Sequence, residues 1–456
     1  MAVVLRFVNI EGLIRERFLD LVHVSDTCAL TLKNKIIVVL VDNGLNVQDI
    51  RGQGYDGASN MRGEWNGLKA LILQECPYAY YIHCLAHQLQ LALVAASREV
   101  NEVHNFFQHA NFVVNTVSAS PKRNDELLEN QAAEIAREIE LGELDTGRGA
   151  NQIGSLQRSR GDAAGALKIL NTFDFVFILH LMERIMKITD ILCVKLQNKS
   201  LDIANALDCV SNTKSLLAEL REDGWESLFE DVKSFCVKHE IDIPDMDQRY
   251  VDVTKSRNKH DNTTVIHHYK VDVFNVAIDQ QVIELNDRFS SQVTELLDLC
   301  SSLDPRHDAF DKSKICTLVE KFYPADFSSQ ERDRLECELP HFQLDTFNHR
   351  EIKNCKSLAD MTKGIIKTGK SSDYPMVERL LRLVITLPVS TATAERAFSA
   401  MKLVKTRLRS KLGDDFLRHC TIVYIGKEIA AKFSSDDIIE IFDTGARKSS
   451  FKLIDM

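Results

Sequence analysis

The sequence predicts an α/β layer at the N-terminus, then a long helical stretch, then an amphipathic C-terminal block. Three observations carry this prediction. Residues 2–24 contain two runs rich in β-branched and aromatic residues, and "AYYIH" (79–83) leads straight into the helical "CLAHQLQLALVAAS" (84–97). Beyond residue 100 the chain is dominated by Ala, Glu, Leu and Lys and holds few glycines. Strands alternating with helices indicate a sheet covered by helices, whereas an uninterrupted helical pattern indicates a separate helical layer.

In chain order, "AVVLRFV" (2–8) and "LIRERFLDLVHV" (13–24) read as a hairpin turned by "NIEG". "TLKNKIIVVLVDNG" fits two patterns: its β-branched run suits a strand, while Leu32, Ile36, Val39 and Leu40 share a helical face that Gly44 would stop. A short strand is expected near 47–50, followed by "GQGYDGASNM" (52–61) and a helix over 60–75. Helices are expected over 101–140, 173–240 and 269–301, separated by a glycine-rich loop at 142–161 and a polar, aperiodic one at 243–264. In the last block, Pro375 opens a helix with Val377, Leu380, Leu381 and Val384 on one face, and Pro388 ends it. Ser390 or Thr391 can cap the next helix, where Ala397, Met401, Val404 and Leu408 form a stripe that Gly413 breaks. Three short amphipathic helices bury little alone, so this block is expected to pack on another domain or a second subunit. No internal repeat of fixed period appears.

At 456 residues, two or three domains are expected. Without a run of 18 apolar residues no membrane span is expected, and "MAVVLRFVNIEG" has neither the basic flank nor the cleavage site of a signal peptide. The eleven cysteines are scattered with no CxxC pair, which suits reduced thiols in a cytosolic or nuclear protein. A net charge of −10 argues against a general coat for nucleic acid, so any such contact must come from local patches.

Four features could carry chemistry, each with a plainer alternative. Asp56, flanked by Gly54 and Gly57 after a strand, is placed to hold a metal ion against a phosphate, or to cap the helix that begins near Ser59. Glu395, in the first turn of its helix, is explained equally by the helix dipole. Cys84 and His87 have the spacing of half a zinc site, but no second pair lies nearby, which favours a buried Cys and a hydrogen-bonded His at a strand-to-helix junction. Lys402, Lys405, Arg407, Arg409 and Lys411 fall within ten positions that hold no acid. They suit phosphate contacts or the solvated face of a dimerisation helix.

Together, "RGQGYDGASNMRGEWNGLKALI", "YYIHCLAHQLQLAL" and "LPVSTATAERAFSAMKLVKTRLRSKLGDDFLRHC" resemble the hAT superfamily of DNA transposases, nearest to its plant MYM-type zinc-finger-like branch. The resemblance implies a ribonuclease-H-like core, here at 1–100, interrupted by an all-α insertion at 101–370. A C-terminal dimerisation region at 371–430 completes the core, and a tail follows at 431–456. It implies that Asp56 and Glu395 occupy the second and third positions of an Asp-Asp-Glu triad that binds two metal ions. Leu380, Leu381, Val384, Phe398, Met401, Val404 and Leu408 are the implied dimerisation residues, and the location is nuclear.

The triad's first Asp belongs to a strand upstream of the hairpin, and Met1 falls at the start of what resembles the second strand. Asp20, Asp26 and Asp42 lie in no matching stretch, the family's Arg-Trp element is missing near "LQRSRGDAAGALKIL", and no zinc finger precedes the core. Two carboxylates under-ligate a metal pair, and loss of a central strand leaves its neighbours with unpaired backbone groups. The expectation is a transposase-derived, catalytically inactive protein, acting as a homodimer with DNA as a second partner. It needs no cofactor, membrane or small-molecule substrate. The alternative is a metal-dependent DNA transposase or nuclease using Mg²⁺ or Mn²⁺ once the missing Asp is supplied.

Overall fold

The computed structural model describes residues 1–118, 160–251, 263–290, 295–304, 310–405 and 413–444. The chain is mostly helical with two small sheets, and it divides into two units. Unit 1 comprises Met1–Gln88, Cys193–Cys209 and Ser291–Met456; unit 2 comprises Leu89–Leu192 and Val210–Ser290.

Unit 1 begins with the antiparallel hairpin β1 (Ala2–Val8) and β2 (Ile14–Leu21), with Val4 opposite Phe18 and Val8 opposite Ile14. The ambiguous segment is a helix, α1 (Ala29–Asp42), whose Leu32, Val39 and Leu40 are buried. Gly44 closes it at φ +70°, a conformation that costs glycine least. The strand expected at 47–50 lies further on: Val47–Asp49 is a turn of 3₁₀ helix capped by the Asn46 side chain, and β3 spans Gly52–Tyr55. A single helical turn (Ser59–Arg62), α2 (Leu68–Glu75), β4 (Tyr80–His83) and the first turn of α3 (Leu85–Glu99) follow; the rest of α3 belongs to unit 2.

The strands β3 and β4 run parallel, with Tyr55 opposite His83. They form a sheet separate from the hairpin, and among the described residues no strand bonds to the second edge of β1 or β3.

Unit 2 is built from α4 (Asn101–Ser118), α5 (Arg160–Leu170), most of α6 (Phe173–Leu196), most of α7 (Ile203–Lys238) and α8 (Val276–Ser290). A π-helical segment, His268–Asn275, leads into α8. Its core is aromatic: the Phe177 ring lies 4.8 Å from Tyr269 and 5.9 Å from Trp225, and Trp225 meets Phe274 edge-on. The loop expected at 142–161 lies outside the described residues except for its last two positions, which open α5. Residues 252–262 of the second loop also lie outside them, while the flanks are tied by a Tyr250 amide bond to the Thr263 carbonyl (2.8 Å).

Unit 1 resumes with α9 (Glu295–Ser301), α10 (Lys312–Phe322), α11 (Ser329–Asn348) and α12 (Leu358–Lys367). Then come α13 (Pro375–Thr386), α14 (Ala392–Val404), α15 (Asp414–Ile425) and α16 (Ser435–Thr444). Within the stretch expected as a tail at 431–456, Ser435–Thr444 forms a helix, and residues 445–456 lie outside the described residues. Both α13 and α14 pack on β1, and α15 packs on β2. Hence the C-terminal block finds its cover within its own unit. Leu380, Leu381 and Val384 are fully buried there and Val404 nearly so.

Candidate functional site

The site lies at the carboxyl ends of β3 and β4, the usual place for function in a parallel sheet. Their register sets Asp56 and Cys84 side by side in the chain that leaves the sheet, and the Cys84 amide donates to the Tyr55 carbonyl (2.9 Å). β3 is glycine-rich because Pro388 presses on it. A Cβ on Gly52 would lie 2.7 Å from the proline ring, and one on Gly54 would lie 2.8 Å from it. Gly54→Ala is therefore expected to cost about 1–3 kcal/mol by overpacking. Gly413→Ala, where open space surrounds the glycine, is the control. Equal denaturant midpoints for the two variants would refute the close approach.

Asp56 is exposed, and its carboxylate accepts a long bond from the Ala58 amide (3.4 Å), so part of its role is to shape its own turn. The Tyr81 hydroxyl donates to the Asp56 carbonyl (3.2 Å). Burial, with a contribution from Asp56, pushes the Tyr81 pKa up to about 12, keeping this donor protonated at neutral pH. His83 is buried against Gly57, where a Cβ would lie 2.7 Å from the imidazole, and its ring centre is 5.8 Å from that of His87.

Cys84 is the link to the C-terminal block. Its sulfur accepts from the Thr391 amide and hydroxyl, both at 3.2 Å, and from the His87 amide at 3.4 Å. The Glu395 carboxylate, 3.4 Å from the Thr391 hydroxyl, is a second, competing acceptor for its one proton, and the Leu85 amide bonds the Val389 carbonyl (3.0 Å). Residues 307 positions apart are thus joined through a thiol. Thr391 is the N-cap of α14 but caps it without a side-chain bond to the helix backbone, because its hydroxyl faces Cys84 and Glu395. Sequence reasoning missed this threonine's role, which only the fold reveals.

Asp56 and Glu395 both lie around this end of the sheet, and Glu395 is exposed. The donor set does not fit a two-metal centre. Such a centre needs several carboxylates, and among the described residues no group of three or more His, Cys, Asp or Glu could hold a metal ion. Asp20 does not stand in: it is buried on β2 and held by a paired contact from Arg418 of α15. Of the other expected site residues, Lys402, Lys405 and Phe398 are exposed and Met401 is half-buried; Arg407, Leu408, Arg409 and Lys411 lie outside the described residues.

Two segments of the chain match known families. Residues 1–67 match the family described as "ZMYM1/FAM200, RNase-like domain", and residues 363–429 match the "hAT family C-terminal dimerisation region". The chain is also similar to the human (Homo sapiens) protein named "52 kDa repressor of the inhibitor of the protein kinase", at 24% identity over 94% of this chain. It spans 60% of that relative's length. The two matched segments bracket the site, one carrying Asp56 and the other Glu395. Together with the relative, they make two segments of this chain similar to proteins of the hAT type.

Proposed function

We propose that this chain is a regulatory protein derived from a transposase, acting through self-association and DNA contact rather than DNA cleavage. The observation that carries the reading is the second apolar face of α15. Leu417 and Thr421 face inward, while Phe416 and Val423 stand exposed on another face and Tyr424 is exposed in the last turn. On α16, Ile438 and Ile441 are exposed as well. A helix that uses one apolar face internally and leaves a second bare is suited to a copy of itself. The dimerisation-region match over residues 363–429 supports that occupant.

The exposed Lys402 and Lys405 supply phosphate contacts at the start of the basic stretch. The incomplete donor set around Asp56 and Glu395 supports a non-cutting role, as does the division of the strands into two separate pairs. The relative named as a repressor supports a regulatory role.

Sedimentation of the full chain tests the reading. The wild type is expected to be a dimer, and Phe416→Asp with Val423→Asp to raise its Kd about a hundredfold or more. A wild type that stays monomeric up to its solubility limit sinks self-association. Mn²⁺-dependent DNA cleavage that disappears in Asp56→Ala would overturn the non-cutting part.

A further inference from the structure

α1 carries more apolar surface than its core contact uses. Leu32, Val39 and Leu40 are buried, yet Leu30, Val38 and Val41 are 56%, 51% and 60% exposed, and Leu45 just beyond the helix is exposed as well. From Leu30, Ile37, Val38 and Val41 follow at seven, eight and eleven residues, the spacing of a single helical face, and the only other residue on it is Asn34. Solvent does not account for such a face. Val and Ile are poorer helix formers than the Lys, Glu and Gln that usually fill exposed positions.

α1 lies close to α15 within unit 1. His23, in the connection that leads from β2 to α1, has its Nδ1 3.6 Å from the Asp414 carboxylate at the start of α15. One turn on, Arg418 has its pKa raised by Asp20 first, with Asp415 and Asp42 adding to the rise. Asp42 is the last residue of α1. Such a field fades beyond about 10 Å, so this end of α1 is near Arg418. Val38 and Asp42 are one turn apart and neighbours on the helix surface, which puts the bare stripe next to the side that Arg418 senses.

Area says what covers the stripe. A specific, stable interface takes about 800 Å² and roughly 20–30 residues from each partner. One face of α15 and one of α16, helices of 12 and 10 residues, fall short of that. A twofold contact that covers α15 reaches the element beside it as well. We propose that the outward face of α1, from Leu30 to Leu45, is part of the surface through which two copies of this chain associate. The proposal rests on self-association through α15 in the preceding reading and extends that surface to the N-terminal part of the unit, outside the matched dimerisation region.

Sedimentation of the full chain tests it. Val38→Lys with Val41→Lys is expected to raise the dimer Kd about tenfold or more, because each change counts twice across a twofold axis. Lys is the better helix former at an exposed position, so the urea midpoint of the dilute variant is expected not to fall. Val41→Ala, a milder change, is expected to raise the Kd about two- to threefold, and it decides the matter should the lysine variant lose its fold. Val237→Lys, at a valine of unit 2 that is 72% exposed, is the control and leaves the Kd unchanged.

A dimer whose Kd ignores the α1 substitutions, while Phe416→Asp with Val423→Asp still weakens it, overturns the proposal and leaves the α15 reading standing. An equal rise with Val237→Lys overturns it too. A wild type that stays monomeric ends both readings together.

Discussion

Arg6→Met is expected to destabilise unit 1 by about 3–5 kcal/mol, the scale for removing one partner of a buried ion pair. The Arg6 guanidinium sits on β1 and is almost wholly buried, as is its partner Glu16 at 2.9 Å on β2. It also donates to three main-chain carbonyls: Ile385 at the end of α13 (3.2 and 3.3 Å), and Lys199 and Leu201 (3.1 and 2.6 Å). Burial pulls the Arg6 pKa down and Glu16 pulls it back up, so the buried charge is compensated by its partners. The substitution therefore leaves a carboxylate and several carbonyls short of a donor. The Glu16 carboxylate also accepts from Thr393 of α14, so Glu16→Gln is expected to cost less than Arg6→Met. Urea unfolding of the single and double variants gives the coupling energy. A loss below about 1 kcal/mol for Arg6→Met would show the guanidinium to be dispensable.

Leu380→Ala should cost about 2–5 kcal/mol through the cavity it leaves, with no effect on self-association while the protein stays folded. Leu380 faces inward on α13, with Leu381 and Val384 beside it, and none is exposed. The helix is held at its N-terminus by the buried Glu338 of α11, whose carboxylate accepts from the Met376 (2.9 Å) and Val377 (3.1 Å) amides. These are two of the amides that no helix can satisfy internally. If Leu380→Ala dissolved the dimer while leaving the urea midpoint unchanged, α13 rather than α15 would be the contact surface.

These two variants also mark where the sequence was legible. The amphipathic period of α13, its start at Pro375 and its stop before Pro388 can all be read locally, because the capping and φ constraints that set them are local. What the period cannot say is which surface covers the apolar face. The hairpin and α11 do so, and a second subunit would have produced the same pattern in the sequence. The hairpin and the β4-to-α3 junction were legible for the same local reason.

β3 was harder to place. A Gly-Gln-Gly run argues against a strand, and the short strand was expected a few residues early. The cause lies more than 330 residues away, where Pro388 leaves no room for side chains at Gly52 and Gly54. Asp56 was legible as a glycine-flanked carboxylate, whereas Cys84 could be read as buried but not as the acceptor that holds Thr391. The Asp20–Arg418 pair, 398 positions apart, left no local trace.

The same long separations set a timetable for the chain's synthesis. The hairpin is made well before α13, α14 and α15, which cover it. At about 5–20 residues per second, the ribosome needs roughly 20–80 s to travel from Arg6 to the Ile385 carbonyl that receives it. During that interval the nascent hairpin has its buried arginine in water and a free strand edge, while the helices of unit 2 emerge with most of their partners already made. The hairpin is therefore made early and becomes native late, because the helices that cover it come from the far end of the same unit.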